Sequence, residues 1–195
     1  MGIKDIPREI FKKFEIHEWK HSIAILKNDF PEEWNDITEM LKDFSIDPLW
    51  ISSPGGRKSQ IADWIDQFLA ARGWVEKGFD TAITVDDMKY DSPTHKIDCF
   101  KNSIALETEW NNKDPFFDRD LNNFRLLFDL RVVSVGIIIT RGDELQSYFD
   151  SIGKGASYGA STTHMSKLIT RIEGGGGAGC PLLVFGIKTS CIRGA

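Results

Sequence analysis

An α/β fold, with a central mixed sheet flanked by helices, is what this sequence predicts, and three observations carry the prediction. Residues 132–140 (VVSVGIIIT) are a near-continuous β-branched run of the kind found in a strand buried on both faces. Residues 96–100 alternate and residues 103–110 are β-compatible, with Lys101-Asn102 between them as a turn, so this stretch reads as a hairpin or meander. Helical stripes alternate with these strands, which gives the strand, helix, strand order of a crossover.

From the N-terminal side, Trp34, Ile37, Leu41 and Phe44 follow Pro31 and Glu32 at helical spacing, so residues 32–44 read as an amphipathic helix. A polar break at residues 52–58 precedes Ser59, which is placed to cap a helix carrying Ile61, Trp64, Ile65, Phe68 and Leu69 and ending near Gly73. Beyond the hairpin, Phe116, Phe117, Leu121, Phe124, Leu127, Phe128 and Leu130 form another stripe. A short helix over 144–149, a polar loop over 151–163, a helix over 164–172 and a strand over 181–187 complete the order. The Gly174–Gly177 run reads as a connector, because no Lys-Ser/Thr pair follows it and no strand precedes it. The expected organisation is one domain over 1–195, with 1–55 as a helical N-terminal segment and 56–188 as the core.

Composition bounds the function classes. A chain of 195 residues, 41% of them hydrophobic, can bury a core without disulfides or metal staples. No apolar run approaches the roughly 20 residues needed to span a bilayer, and charges interrupt the first twenty residues, so neither a membrane span nor a signal peptide is expected and the predicted location is cytoplasmic. Cys99, Cys180 and Cys191 are odd in number and lack ligand spacing, which argues against a disulfide framework or structural zinc. The net charge of -5 is unevenly spread: residues 1–50 hold 7 basic against 11 acidic groups, whereas 151–195 hold five basic groups against Glu173 alone. The acidic total therefore does not exclude nucleic acid as a partner, and a metal-binding carboxylate cluster would itself add to it.

The chemistry concentrates in the hairpin. Asp98 lies on its first strand, and Glu107 and Glu109 lie at i and i+2 on the second, where period-2 geometry puts them on one face. If the strands pair through the turn, Asp98 falls beside Glu107 in a small oxygen cage suited to Mg²⁺. Carboxylates so close are costly without a cation. The spacing alone also fits a solvated strand face that happens to bear acids.

Asp98 with Glu107-Thr108-Glu109 resembles the PD-(D/E)xK nuclease motif in the ExE form of the BamHI/BglII group of type II restriction endonucleases. The nine-residue interval from Asp98 to Glu107 is similar to that group's, as are Asn112 after Glu109, the long helix, the strand through residues 135–139, the short helix ending Tyr148-Phe149 and the strand over 181–186. The resemblance covers roughly residues 59–188. The motif's proline is replaced by Ile97 and its lysine by Glu109. It implies a Mg²⁺-dependent homodimer that cuts double-stranded DNA at a palindrome, with a site centred on GATC, leaving 5′-phosphate and 3′-hydroxyl ends. Asp98 and Glu107 would hold Mg²⁺, and Glu109 would orient or deprotonate the attacking water as a carboxylate. A fourth acid is implied before the hairpin, for which Glu76 is the candidate, and helix 116–130 is implied at the dimer interface.

Asn112 occupies a base-reading position by the same resemblance, and Asn can bond adenine bidentately. Lys113 and Arg119 are candidate DNA-backbone contacts. Ser157, Tyr158, Ser161, Thr162, Thr163 and His164 make a hydroxyl-rich loop entering a helix whose first amides favour phosphate, although N-capping by Ser161, Thr162 or Thr163 would explain the same residues. The turn Gly55-Gly56-Arg57-Lys58 lacks Walker A spacing, and Arg57 and Lys58 are expected to touch phosphate or solvent. Two other functions fit the acids: an inactive accessory DNA-binding subunit of nuclease fold, or an enzyme acting on small phosphate substrates.

Overall fold

The computed structural model describes residues 2–52, 58–91 and 94–194. Helix α1 (Arg8–Lys13) leads into strand β1 (Phe14–Trp19), followed by helices α2 (Ser22–Asp29), α3 (Pro31–Asp43), α4 (Pro48–Ser52) and α5 (Gln60–Ala70). Strands β2 (Val75–Lys77), β3 (Ala82–Val85), β4 (Met88–Asp91), β5 (Ile97–Lys101) and β6 (Ile104–Glu109) come next. Helix α6 (Pro115–Asp129), strand β7 (Val135–Arg141), helices α7 (Leu145–Ser151) and α8 (Met165–Glu173) and strand β8 (Leu182–Ile187) finish the chain.

Six strands form one sheet in the order β1-β8-β7-β6-β5-β2. Strands β6, β7 and β8 run parallel, while β5 pairs antiparallel with β6, β2 with β5, and β1 with β8. The sheet is therefore mixed, as the sequence predicts. Strands β3 and β4 make a separate ribbon, held at its base where Phe79 and Thr94 exchange backbone and hydroxyl hydrogen bonds.

Alternation along the central strands divides the core in two. Ile104, Leu106, Val135, Ile137, Ile139, Leu183 and Phe185 pack with residues of α1–α5 and α7. Ala105, Ile138, Leu182 and Val184 pack on the other side with Phe117, Leu121, Phe124 and Leu127 of α6 and Leu168 and Ile172 of α8. By the same alternation, Glu107 and Glu109 share the face of Ala105, so they lie beneath α6. That helix comes unusually near the sheet at Gly136, where a Cβ would meet the Phe124 ring at 2.4 Å. Any larger residue there would lift α6 away from the carboxylates.

Several boundaries follow tertiary rather than local rules. The N-terminal segment is not wholly helical: Phe14–Trp19 is a strand pairing Phe14 with Ile187 and Trp19 with Leu182. It covers what would otherwise be an open edge of β8, whose six residues are all buried. The hairpin turns one residue later than expected. Lys101 faces Ile104, and Asn102 (φ 44°) and Ser103 (φ 69°) form the two-residue loop, both left-handed as a type I′ turn requires. Strand β7 starts at Val135 because Arg131 turns left-handed (φ 60°) and the Val132 and Val133 amides still bond Leu127, closing α6. Ser59 caps α5 as its position suggests, its hydroxyl accepting from the Ala62 amide at 3.1 Å. All three cysteines are buried free thiols, and burial pushes each up to about 12.

Candidate active site

Strands β5 and β6 are in register at Cys99↔Leu106, which sets Asp98 across from Glu107. There the two strands part, and each carboxylate bonds the other strand's backbone. The Asp98 amide donates to Glu107 Oε2 at 3.3 Å, and the Thr108 amide donates to Asp98 Oδ2 at 3.0 Å. These reciprocal bonds fix both acids at the opening of the hairpin. They leave Glu107 Oε1 buried with no hydrogen-bond partner.

Helix α6 brings a further acid to this point. Asp120 is fully buried, although it sits one turn along from Phe117 and one turn before Phe124 on the stripe that faces the sheet. Arg119 holds its Oδ1 at 2.8 Å, and its Oδ2 has no partner. His95, just before β5, is tied to the same helix through its carbonyl, which accepts from Asn123 Nδ2 at 3.0 Å. Its Nε2 is likewise buried and unpartnered. Donor atoms of His95, Glu107 and Asp120 lie within 4.8 Å of one another. Asp120 was legible as an acid on an apolar stripe, a placement that no solvated helix face explains. His95, in a polar stretch between a Thr and a Lys, carried no such signal.

Burial, with like charges crowded beside it, shifts the carboxyls strongly. Burial raises Glu107 well above the usual range, reinforced by the charges of Asp120 and Asp98. Burial also pushes Glu109 up to about 9, with Asp120 adding to the shift, and raises Asp120 to about 6 against the opposing pull of Arg119. His95 is held below its ordinary value by burial and by the nearby Arg119 charge, with Asp98 and Glu76 opposing. These are buried oxygens and an imidazole nitrogen converging on one point, a donor set that fits a divalent cation.

Glu109 is the best-bonded of the three hairpin acids. Asn112 Nδ2 donates to its Oε2 at 2.6 Å and Arg119 reaches its Oε1 at 3.3 Å. Its backbone carbonyl accepts from the hydroxyls of Thr140 and Thr163. Arg119, expected on a DNA backbone, thus bridges Glu109 and Asp120 while its guanidinium stacks on the Phe116 ring.

The two stretches expected to meet DNA lie side by side next to Glu109. Lys113 bridges Thr162, the Asp114 amide bonds the Ser161 carbonyl, the Thr163 amide bonds the Asn112 carbonyl, and Asn111 donates to the Ser157 carbonyl. Asn112, Lys113, Ser157 and Ser161 are exposed along this ridge. The other hydroxyls point inward, contrary to expectation. Tyr158 stacks on Phe149 at 4.0 Å and accepts from the Trp110 indole, because that aromatic cluster needs a polar partner for the indole. Thr162 and Thr163 are buried around Arg141, itself only 2% exposed, which bonds the Thr163 and Tyr158 carbonyls and the Thr162 hydroxyl. Nor does Ser161, Thr162 or Thr163 cap α8: its N-cap is His164, and Asp143 accepts the Ser166 amide while also pairing with His164 at 2.6 Å.

Two further candidates stand apart. Glu76 lies on strand β2 rather than at a helix end, exposed and paired with Lys96 at 2.8 Å, so it is outside the buried cluster and reaches it only through its charge on His95. Lys58 is exposed and bonded to Asp66. Arg57 lies outside the described residues.

No helix among the described residues is long and apolar enough to cross a membrane. No curated relative matches the sequence. The family model for restriction endonucleases BglII/BglIII matches residues 14–187, a span that begins at β1 and ends with β8 and so takes in every strand of the sheet together with the acid-bearing hairpin. A match over most of the chain, on a mixed sheet whose parting strands hold Asp98, Glu107 and Glu109, places this protein in the BglII/BglIII restriction endonuclease family, as a site-specific DNA nuclease.

Proposed function

We propose that the protein is a Mg²⁺-dependent type II enzyme that cuts both strands of a palindromic DNA site as a two-fold homodimer, leaving 5′-phosphate and 3′-hydroxyl ends. The observation that carries this reading is the unpartnered, fully buried Glu107 Oε1, set against Asp98 where β5 and β6 part. An isolated buried carboxylate oxygen costs about 1–3 kcal/mol or more, and a cation held jointly with Asp98 removes that cost. A bound Mg²⁺ would supply charge neutralisation at the scissile phosphate and lower the pKa of a coordinated water. Glu109 would orient that water and, once the charge of the cation has brought its carboxyl back to the ionised form, take its proton. Asn112 and Arg119 fix both of its oxygens, which keeps the side chain aimed along the strand face shared with Glu107. The water oxygen bonds to phosphorus as its proton passes to Glu109, the bond from phosphorus to the 3′ oxygen breaks, and that oxygen takes a proton from solvent water to become the 3′-hydroxyl.

The exposed ridge of Asn112, Lys113, Ser157 and Ser161 is the proposed DNA contact, with Asn112 reading a base and Lys113 a phosphate. Each site cuts one strand, so a palindrome calls for two copies related by a two-fold axis. The exposed face of α6, carrying Phe116, is the proposed interface, and a GATC-centred site is proposed from family likeness. The test is digestion of a phage genome with the purified protein in Mg²⁺, followed by sequencing of the ends. A single recurring palindrome with 5′-phosphate ends is expected, and Ca²⁺ should support binding with little cutting. Cuts scattered without a common sequence, or efficient cleavage in chelator, would overturn the reading.

A further inference from the structure

Three of the buried side-chain atoms that lack a hydrogen-bond partner are His95 Nε2, Glu107 Oε1 and Asp120 Oδ2, and they come from the loop before β5, from β6 and from α6. They are also the three residues whose donor atoms converge within 4.8 Å. Unpartnered buried atoms scattered through a core would be separate local costs; three that face one point make a donor set. Each is held from behind. Glu107 is fixed by the Asp98 amide through its other oxygen, and Asp120 by Arg119 through its other oxygen. The main chain of His95 is tied to α6, its carbonyl accepting from Asn123, three residues after Asp120. The approach of α6 at Gly136 sets the height of Asp120 over the sheet. Ligands oriented this way are what a metal position requires, since the outer bonds fix the direction of the inner ones.

The imidazole decides which metal. Mg²⁺ takes oxygen ligands and keeps several waters, whereas a nitrogen donor beside two carboxylates favours the borderline first-row cations. We infer that His95, Glu107 and Asp120 form a second divalent-cation position, sharing Glu107 with the Asp98–Glu107 pair, and that it prefers Mn²⁺ to Mg²⁺. The inference deepens the proposed nuclease reading through that shared residue, but it concerns cation binding and is tested without DNA.

Full-length protein stripped with chelator is titrated with Mn²⁺, following free Mn²⁺ by electron paramagnetic resonance and competing with Mg²⁺. Pulsed measurements on the bound ion then look for ¹⁴N modulation from a directly coordinated imidazole. Mn²⁺ should bind about tenfold or more tightly than Mg²⁺ and show the nitrogen signal. His95→Ala should abolish that signal and weaken Mn²⁺ by about 10–100-fold, with Mg²⁺ affinity changing much less. Asp120→Asn, nearly isosteric, should weaken Mn²⁺ by a similar factor. Wild-type Mn²⁺ without nitrogen modulation, or an unchanged Mn²⁺ affinity in His95→Ala, overturns the inference. Cleavage in Mg²⁺ is scored separately. A nitrogen signal without cleavage would leave this site standing and remove the nuclease reading, and Mg²⁺ cleavage without the signal would do the reverse.

Discussion

The β5–β6 hairpin carries a buried polar cluster at each end, and the two are built on opposite rules. At the tip, Lys101 Nζ donates to Glu32, Asp36 and the Arg72 carbonyl at 2.9–3.1 Å, and Asn102 donates to Glu33 at 2.7 Å. Asp36 also accepts from the Trp74 indole, and Arg72 reaches Glu39. Opposite charges meet there, and none of these side chains is among the unpartnered buried atoms. At the open end Asp98, Glu107, Glu109 and Asp120 crowd together, Arg119 pairs with Glu109 and Asp120 alone among them, and unpartnered atoms remain on Glu107, Asp120 and His95. The tip is a finished structural joint between α3 and the hairpin. The open end is incomplete as a folded unit alone, which is the condition expected of a site that takes a cation and a phosphate.

The largest expected effect lies at the open end. Asp98→Ala or Glu107→Ala should reduce Mg²⁺-dependent cleavage by at least about 10³-fold, since losing a metal ligand removes on the order of 4 kcal/mol of transition-state stabilisation. Circular dichroism should show an unchanged fold. Near-normal cleavage by either variant would erase the contrast between the two clusters. Next comes Glu109→Gln, expected to lose about 10²–10⁴-fold in single-turnover rate with little change in DNA affinity, as for removal of a general base. A glutamine variant cutting at the parent rate would reduce Glu109 to a structural partner of Asn112.

Stability should separate the ends by sign. Lys101→Met removes the nearest cation from the buried Asp36 and should cost about 3 kcal/mol in urea unfolding, at the lower end for a broken buried pair because the Trp74 indole and Arg72 still reach Asp36 and Glu32 is largely solvated. In chelator, Glu107→Gln should be no less stable than the parent, because the buried Glu107 carboxyl must either carry a charge among other acids or take up a proton on folding, and glutamine does neither. The same sign for both substitutions would contradict the distinction.

The smallest expected effect is on pH dependence. Folding raises Glu109 from 4.5 to about 9 and Asp120 from 3.8 to about 6. The folded state therefore binds more protons than the unfolded chain, so this stabilisation is complete below pH 3.8–4.5 and is lost as pH rises, through about 6 for Asp120 and about 9 for Glu109. Between pH 6 and 9 in chelator the Tm should therefore fall, and a Tm that rose over this interval would contradict the raised carboxyls. Added Mg²⁺ should stabilise more at pH 9 than at pH 6, since binding needs the deprotonated carboxyls. A cation effect independent of pH would argue that the carboxyls are ionised before metal arrives.

Local rules were enough for much of this protein. Alternation placed Glu107 and Glu109 on one face, the nine-residue interval brought Asp98 across from Glu107, and the helical stripe located α6. Each depends only on the periodicity of one element or on a short turn, which the sequence specifies directly. Tertiary structure decided the rest. Phe14–Trp19 became a strand because β8, more than 160 residues later, offered an edge, and short alternation alone could not show that partner. Thr162 turned inward because its hydroxyl accepts from the buried Arg141, Thr163 because its hydroxyl donates to the Glu109 carbonyl, and Tyr158 because its hydroxyl accepts from the Trp110 indole. His95 and Asp120 met Glu107 because sheet order and the close approach at Gly136 set α6 over the end of β6. That juxtaposition is a distance between elements, which no period within any one of them contains.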